Sequence, residues 1–291
     1  MQERRRLPDW IKTRGLTGLH AVKQALKSCG VSTVCESARC PNIGTCFAKP
    51  TATFMILGSR CTRDCGFCSV DSGAPSPVEP DEPYRVAQAA RYLGLSYVVV
   101  TSVTRDDLAD GGASHFAETV RVLKEALPKA PVEVLIPDFQ GEEAALGSVL
   151  AARPDVLNHN IETVPRLYPL VRPQAAYDRS LNLLRNAKGM ASDMLTKSGI
   201  IVGLGETFAE VVSVMSDIRR TGCDFLTIGQ YLRPSKGNLP VVEFVRPAVF
   251  ERYREIACSM GFARVASSPL VRSSLCAEEM SSGRLTMPKG A

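Results

Sequence analysis

The chain has few of the features that mark a membrane, secreted or nucleic-acid-binding protein. None of its apolar runs is as long as a bilayer span, so no transmembrane helix is expected. Its first residues, Met-Gln-Glu-Arg-Arg-Arg-Leu-Pro, are charged where a secretory signal would be apolar. No Arg/Ser-rich presequence of the organellar type stands there either, and a reduced, cytoplasmic setting is the expectation. Aromatic residues are only 6% of the 291, and no recognised motif interleaves them with basic ones. Nucleic acid and membrane are thus not expected partners. No repeat, heptad array or low-complexity block is present. The net charge of +5 is modest and compatible with an acidic protein substrate without requiring one. The tight basic run near the start, Arg4 to Arg6, reads as a solvated terminus.

What the chain does have is cysteine, ten of them. In a reducing compartment they serve metal rather than disulfides. Six fall in two triads within residues 35–68. Cys61, Cys65 and Cys68 are spaced C-x3-C-x2-C, in Cys-Thr-Arg-Asp-Cys-Gly-Phe-Cys. Cys35, Cys40 and Cys46 are spaced C-x4-C-x5-C, with Pro41 and Gly44 favouring a wrapped backbone. Thiolates are soft ligands suited to zinc or to iron–sulfur clusters. Structural zinc sites and electron-transfer clusters usually close with four ligands. Three ligands on a four-iron cube leave one iron open to a small molecule. A zinc loop, or merely buried thiols, is the plainer reading of one triad; two adjacent triads point to two clusters. Cys29 reads as a buried or incidental thiol, and Cys223 and Cys258 as core residues without partners at ligand spacing.

From Thr51 onward, short apolar strands alternate with helical patterns. The expected strands are 53–57, 97–100, 132–136, 156–161, 197–204 and 225–228. The expected helices are 83–94, 114–127, 141–152, 178–189, 207–221 and 247–260. Such alternation implies a parallel sheet covered by helices. Six units predict an α/β fold, a partial (β/α)6 barrel of the TIM type. It would span 51–262, between an N-terminal cluster-binding extension (1–50) and a C-terminal tail (263–291). A Rossmann-type sheet is the alternative, but no G-x-G-x-x-G opens a helix after the first strand. Residues 73–83, with Pro75, Pro77, Pro80 and Pro83, read as a stiff loop. Barrel enzymes place their chemistry at the C-terminal ends of the strands. Polar clusters stand at those ends here. Singly, each has a plain explanation: Gly111 and Gly112 turn the chain, Asn158 and Glu162 cap a helix, and His159 is structural. Together they predict a site on that rim.

Cys61, Cys65, Phe67 and Cys68 resemble the C-x3-C-x-aromatic-C signature of radical S-adenosylmethionine (SAM) enzymes. The resemblance implies a cluster whose open iron chelates SAM, with Phe67 beside the adenine. Several longer blocks resemble the lipoyl synthase family. They are the paired triads, Thr101 to Gly112, Pro137-Asp-Phe, Asn158-His-Asn-Ile-Glu-Thr, Thr196-Lys-Ser-Gly, Gly203-Leu-Gly-Glu and Gln230-Tyr-Leu-Arg-Pro-Ser. That resemblance implies two 4Fe-4S clusters and SAM as cofactors. It implies insertion of two sulfur atoms, at C6 and C8, into an octanoyl chain held on a lysine of a carrier domain. The carrier would be an E2 subunit or a glycine-cleavage H-type protein. Cys61, Cys65 and Cys68 would hold the radical-generating cluster, and Cys35, Cys40 and Cys46 an auxiliary cluster that donates sulfur. Asn160 and Glu162 are expected near the SAM ribose, and Lys197 at a carboxylate. No side chain is expected as a catalytic acid or base, since the clusters and SAM carry the radical chemistry.

The segment Val271-Arg-Ser-Ser-Leu275 resembles the family's Arg-Ser-Ser-Tyr signature, which makes Ser274 the fourth ligand of the auxiliary cluster. A hydroxyl is a weak ligand beside thiolates, so that iron is expected to be labile. Leu275 departs from the usual tyrosine, and Cys276 stands close enough to compete as a ligand, ranked below Ser274. The implied partners also include an electron donor such as ferredoxin or flavodoxin, and a cluster-repair protein. Two other readings stay open. One is another radical SAM protein with an auxiliary cluster, such as a methylthiotransferase or peptide-modifying maturase. The N-terminal triad and the Arg-Ser-Ser tail speak against it. The other is a non-catalytic two-cluster electron carrier, for which a polar rim is unnecessary.

Overall fold

A computed structural model describes residues 7–11, 19–48, 52–275 and 277–282; the Arg4–Arg6 run and Cys276 lie outside them. The N-terminal extension holds helix α1 (Leu19–Cys29), strand β1 (Ser32–Thr33) and short helices α2 (Val34–Ser37) and α3 (Ile43–Ala48). Then follow β2 (Thr53–Ile56), the two-residue strands β3 (Arg60–Cys61) and β4 (Asp71–Ser72), α4 (Glu82–Tyr92), β5 (Val98–Ser102) and α5 (Ala113–Ala126). The chain continues through β6 (Val132–Leu135), α6 (Glu143–Ala151), β7 (Val156–Asn158), α7 (Tyr168–Val171), α8 (Tyr177–Met190) and β8 (Leu195–Val202). It ends with α9 (Phe208–Arg220), β9 (Phe225–Gln230), α10 (Pro247–Ser259), β10 (Arg264–Ser267) and α11 (Ala277–Ser282).

One sheet runs in the order β1-β2-β5-β6-β7-β8-β9-β10. Every pair from β2 to β10 is parallel, and β1 adds antiparallel to β2. The sheet does not close on itself: β1 and β10 are its two edges. The expected partial barrel is therefore the observed architecture. Strand side chains alternate between two faces. Phe54, Ile56, Val98, Val100, Val132 and Val134 face outward and are buried with Val86, Ala90, Phe116, Val120, Leu146 and Val149 of the covering helices. The other half of the barrel buries Ile200, Val202, Leu226 and Ile228 against Val211, Met215, Phe250 and Tyr253. All six expected helices are present, with ends shifted by a residue or two.

β10 is a seventh parallel strand that the apolar pattern did not reveal. It has four residues, Arg264-Val-Ala-Ser, and only two of them are aliphatic. The barrel therefore runs past residue 262. The tail then turns back over the concave face of the sheet. Val271 and Met280 pack with Val156, Phe225 and Ala266, and Ala277 with Tyr97 and Val99. Gly229 permits this approach, because a β-carbon there would lie 2.1 Å from the Val271 carbonyl oxygen. Cys223 is fully buried, as expected, but Cys258 is exposed near the end of α10 and is not a core residue.

Candidate functional site

The loop carrying Cys61, Cys65 and Cys68 leaves the barrel at the C-terminal end of β2. Leu57 (φ 68°) and Gly58 (φ 92°) both take left-handed backbone there, which turns the chain out of the strand. The Leu57 N–H donates to Glu82 Oε2 at 2.8 Å. The loop is then tied down on several sides. Thr62 N donates to Thr104 O at 3.0 Å, Gly66 N to Val171 O at 3.0 Å, and Leu239 N to Gly66 O at 2.9 Å. Asn238 Nδ2 donates to Cys68 O at 2.6 Å. Backbone amides also reach the sulfurs. Arg63 N and Thr104 N approach Cys61 Sγ at 3.4 and 3.3 Å, and Val70 N approaches Cys68 Sγ at 3.4 Å.

These groups fit a cluster. Burial, together with neighbouring thiols, pushes the Cys68 thiol up to about 12 and raises Cys65 as well. A strongly positive centre is what would draw such thiols into thiolate form. Amide donors aimed at the sulfurs would support that form. A four-iron cube gives each thiolate its own iron.

Beneath the loop lies an ion network that the sequence reading did not single out. Arg63 sits inside the cysteine motif, with its guanidinium buried. Its Nε and Nη2 bind Asp106 at 2.7 and 2.8 Å, and Nη2 also reaches Asp138 Oδ1 at 2.6 Å. Burial alone would raise the Asp138 carboxyl, but Arg63 brings it down to about 2. Asp106 and Asp138 belong to strand-end blocks already noted; only their shared partner was missed.

The turn after β7 supplies the second wall. Glu162 adopts φ 68°, uncommon for a residue with a β-carbon and a mark of local strain. Its backbone is locked on both sides: Glu162 N donates to Gly199 O at 2.9 Å and Ile201 N to Glu162 O at 2.8 Å. Asn160 Nδ2 donates to Glu162 Oε1 at 2.9 Å. Burial raises the Glu162 carboxyl against the opposing pull of Arg172, and both groups lie within electrostatic reach of Cys65. Arg172 Nη1 donates to Asn160 O at 2.9 Å and Ile161 O at 3.2 Å, while its Nε and the buried Asn160 Oδ1 have no partner. Gly199 makes room, since a β-carbon there would stand 2.8 Å from Asn160 Oδ1. Phe67 is half-buried and packs on the neighbouring core.

Lys197 is not brought to this rim. It is fully buried inside the barrel, with Nζ on both Glu133 oxygens at 2.9 and 3.2 Å. Tyr97 Oη and Asn158 Nδ2 complete that carboxylate's contacts at 2.9 and 3.1 Å. A cation that does lie beside the cluster loop, besides Arg63 within it, is Arg172. It lies outside the blocks noted in the sequence, which explains why it was missed. His159 is buried too, with Nδ1 2.9 Å from Ile136 O, and burial pushes it down to about 4. Gln230 and Glu206 serve the backbone rather than the opening: Gln230 Nε2 donates to Val202 O and Glu243 O, and Glu206 accepts from Leu204 N.

The first triad lies against the tail. Cys35 is buried, held at Thr53 and pushed up to about 11 by burial, with Cys40 within electrostatic reach. Asn42 Nδ2 donates to Leu270 O at 2.7 Å, fastening this loop to the segment that carries Ser274. Arg272 lies within reach of both Cys40 and Glu162. Ser273 Oγ accepts from Asn160 Nδ2 at 2.6 Å. Ser274 and Leu275 are half-buried beside these contacts.

An open, mostly parallel barrel with three cysteines at the end of its first parallel strand defines a radical SAM protein. The radical SAM superfamily model matches residues 55–218. Solved structures share the fold. Methylornithine synthase aligns with TM-score 0.53 at 16% identity, covering 91% of this chain and 82% of its own. SuiB of Streptococcus suis aligns with TM-score 0.59 at 10% identity, covering 78% and 53%. Within that class, this chain belongs to the lipoyl synthase family. It is 58% identical over 274 residues to the lipoyl synthase of Caldanaerobacter subterraneus subsp. tengcongensis, covering 94% of this chain and 96% of that one. It is 55% identical over 261 residues to that of Aquifex aeolicus, covering 90% and 95%. Against that of Geobacter sp. it is 51% identical over 286 residues, covering 98% of each chain. Membership implies SAM and two 4Fe-4S clusters. No described helix is long and apolar enough to cross a membrane.

Proposed function

We propose that this chain inserts two sulfur atoms, at C6 and C8, into an octanoyl group carried on a lysine of a carrier domain. The observation that supports this best is the meeting of both cysteine loops on one barrel rim, joined by the tail segment 270–273. Cys61, Cys65 and Cys68 would hold the cluster that binds SAM. Cys35, Cys40, Cys46 and Ser274 would hold the auxiliary cluster. When bound, these groups supply a deoxyadenosyl radical able to abstract hydrogen from an unactivated carbon, and sulfide for the resulting carbon radical.

The chain's own residues hold and orient. Asn160 and Glu162 face the SAM ribose and its neighbouring polar atoms, on a turn that Gly199 and Ile201 keep fixed. Arg172 takes the role assigned to Lys197 in the sequence, a cation for the methionine carboxylate, since a buried carboxylate without a partner is costly. Phe67 borders the adenine. Arg63, through Asp106 and Asp138, holds the cysteine loop in register with the loops after β5 and β6. An E2 or H-type carrier would dock at the rim, a ferredoxin or flavodoxin would supply electrons, and a repair protein would rebuild the auxiliary cluster. A cytoplasmic setting suits all three.

The test is an anaerobic single turnover with SAM, a reductant and an octanoyl-lysine peptide, read by mass spectrometry. A gain of two sulfurs with deoxyadenosine is expected. Deoxyadenosine without sulfur on the peptide would overturn the substrate, and neither product would leave a two-cluster electron carrier.

A further inference from the structure

Two sites that the proposed function treats separately are joined by a short chain of contacts. Asn160 Nδ2 donates at once to Glu162 Oε1 at 2.9 Å and to Ser273 Oγ at 2.6 Å. Ser273 directly precedes Ser274. Arg272, on the other side, lies within electrostatic reach of Glu162 and Cys40. The segment has little freedom, because Val271 is buried, Asn42 grips Leu270 O and Leu275 N closes on Arg272 O at 3.0 Å. Ser273 therefore cannot move far while its neighbour is held, and Asn160 has no other described side-chain acceptor for its amide than Glu162 and Ser273.

The geometry points to Ser273 as a positioning residue that couples the two metal sites: retention of the Ser274-bound iron favours SAM binding, and SAM binding favours retention of that iron. This rests on the proposed roles of Ser274 and Asn160. With the tail anchored, Ser273 fixes the Asn160 amide and leaves its buried Oδ1 without a protein partner. With the iron gone, Ser274 loses its hold and Ser273 braces Asn160 less firmly, although Leu270 and Val271 stay anchored. Coupling between two binding equilibria is reciprocal, so the same factor appears from either side. Loss of an auxiliary iron would thus loosen the SAM site when the first round's products must leave.

Two binding measurements on the reconstituted two-cluster protein test this without turnover. S-adenosylhomocysteine, which cannot be cleaved to the radical, serves as the probe. Its affinity is measured before and after a chelator removes the labile iron, and the rate of iron release is measured with and without it. Wild type is expected to lose affinity about fivefold or more on iron removal, and to release iron more slowly by a similar factor when the probe is bound. Ser273→Ala should abolish both effects, and Ser273→Thr, which keeps a hydroxyl, should restore them. Equal effects in Ser273→Ala and wild type would overturn the coupling, as would no effect in either. Mössbauer spectra of Ser274→Ala separate the underlying reading. A changed auxiliary-iron signal supports the ligand assignment, and an unchanged one overturns it together with the link.

Discussion

The barrel holds two arrangements of one cation and one carboxylate, one fully buried and one partly buried, and they are built on opposite terms. Deep inside, Lys197 meets Glu133, and the carboxylate has four contacts: Lys197 to both oxygens, Tyr97 to one and Asn158 to the other. Both oxygens of that carboxylate are engaged, and the unpartnered atom in the network is Asn158 Oδ1. At the rim, Arg172 faces Glu162 across a turn strained to φ 68°, with Arg172 Nε and Asn160 Oδ1 unpartnered. An unpaired buried polar group costs free energy unless something arrives to satisfy it. The pair whose carboxylate is fully engaged is framework, and the open pair is the one proposed to hold SAM. Charge is alike in both, and the rim pair is the less buried; there the cation itself also keeps an unpartnered nitrogen, Arg172 Nε.

The largest effect that would break this comparison is on stability. Lys197→Met leaves Glu133 buried with only neutral donors, and should destabilise the protein by about 3 to 5 kcal/mol in denaturant unfolding. Replacing both members, Lys197→Met with Glu133→Leu, should recover much of that loss. Affinity for S-adenosylhomocysteine should stay near wild type in either variant that folds. A fall as large as that of a rim variant would show that Lys197 belongs to the SAM site after all.

His159 gives the next largest effect, in acid. Burial holds its folded pKa at about 4, below the 6.5 of a free side chain. The unfolded chain therefore binds a proton that the folded one refuses between those values. Stability from this group is complete above pH 6.5 and is lost as pH falls towards 4, by up to about 3 kcal/mol. Asp138 behaves likewise at lower pH: its stabilisation is complete above its ordinary value near 3.8 and is lost as pH falls through about 2. Unfolding curves of His159→Gln should be flatter between pH 4 and 6.5 than those of wild type. An unchanged slope would mean that His159 is protonated in the folded protein.

The rim predicts the opposite balance of stability and activity. Glu162→Gln removes a carboxylate whose burial already opposes its charge, so stability should barely change. Deoxyadenosine formation should fall about a hundredfold through misplacement of SAM. A variant that unfolds instead would place Glu162 in the framework with Glu133.

The sequence made the scaffold legible because its strands are continuous apolar runs and its helices are long. It made the cluster loops legible because cysteine spacing is local. Lys197 shows where that reading stops. A strand-borne lysine beside Ser198 and Gly199 looks like a ligand group until Glu133, which is 64 residues away, is known to hold it. Arg172 is the converse: its importance comes from neighbours that folding brings together, Cys65 and Glu162 among them. β10 escaped because four residues are too few to show a period. The Ser273–Asn160 contact joins residues 113 apart and has no local trace.

Phe67 should give the smallest and most selective change. It is half-buried on the rim side of the barrel and packs with the core that holds Tyr168 and Val171. Phe67→Leu keeps most of that apolar contact and removes the ring face, so unfolding should hardly move. If the ring stacks on adenine, S-adenosylhomocysteine should bind more weakly by about threefold to tenfold, the effect of losing one aromatic pair. Methionine alone carries no adenine, and its binding to the cluster should be unaffected. Equal weakening of both ligands would mean that Phe67 acts by bracing the cysteine loop, which would move it to the framework side of the comparison.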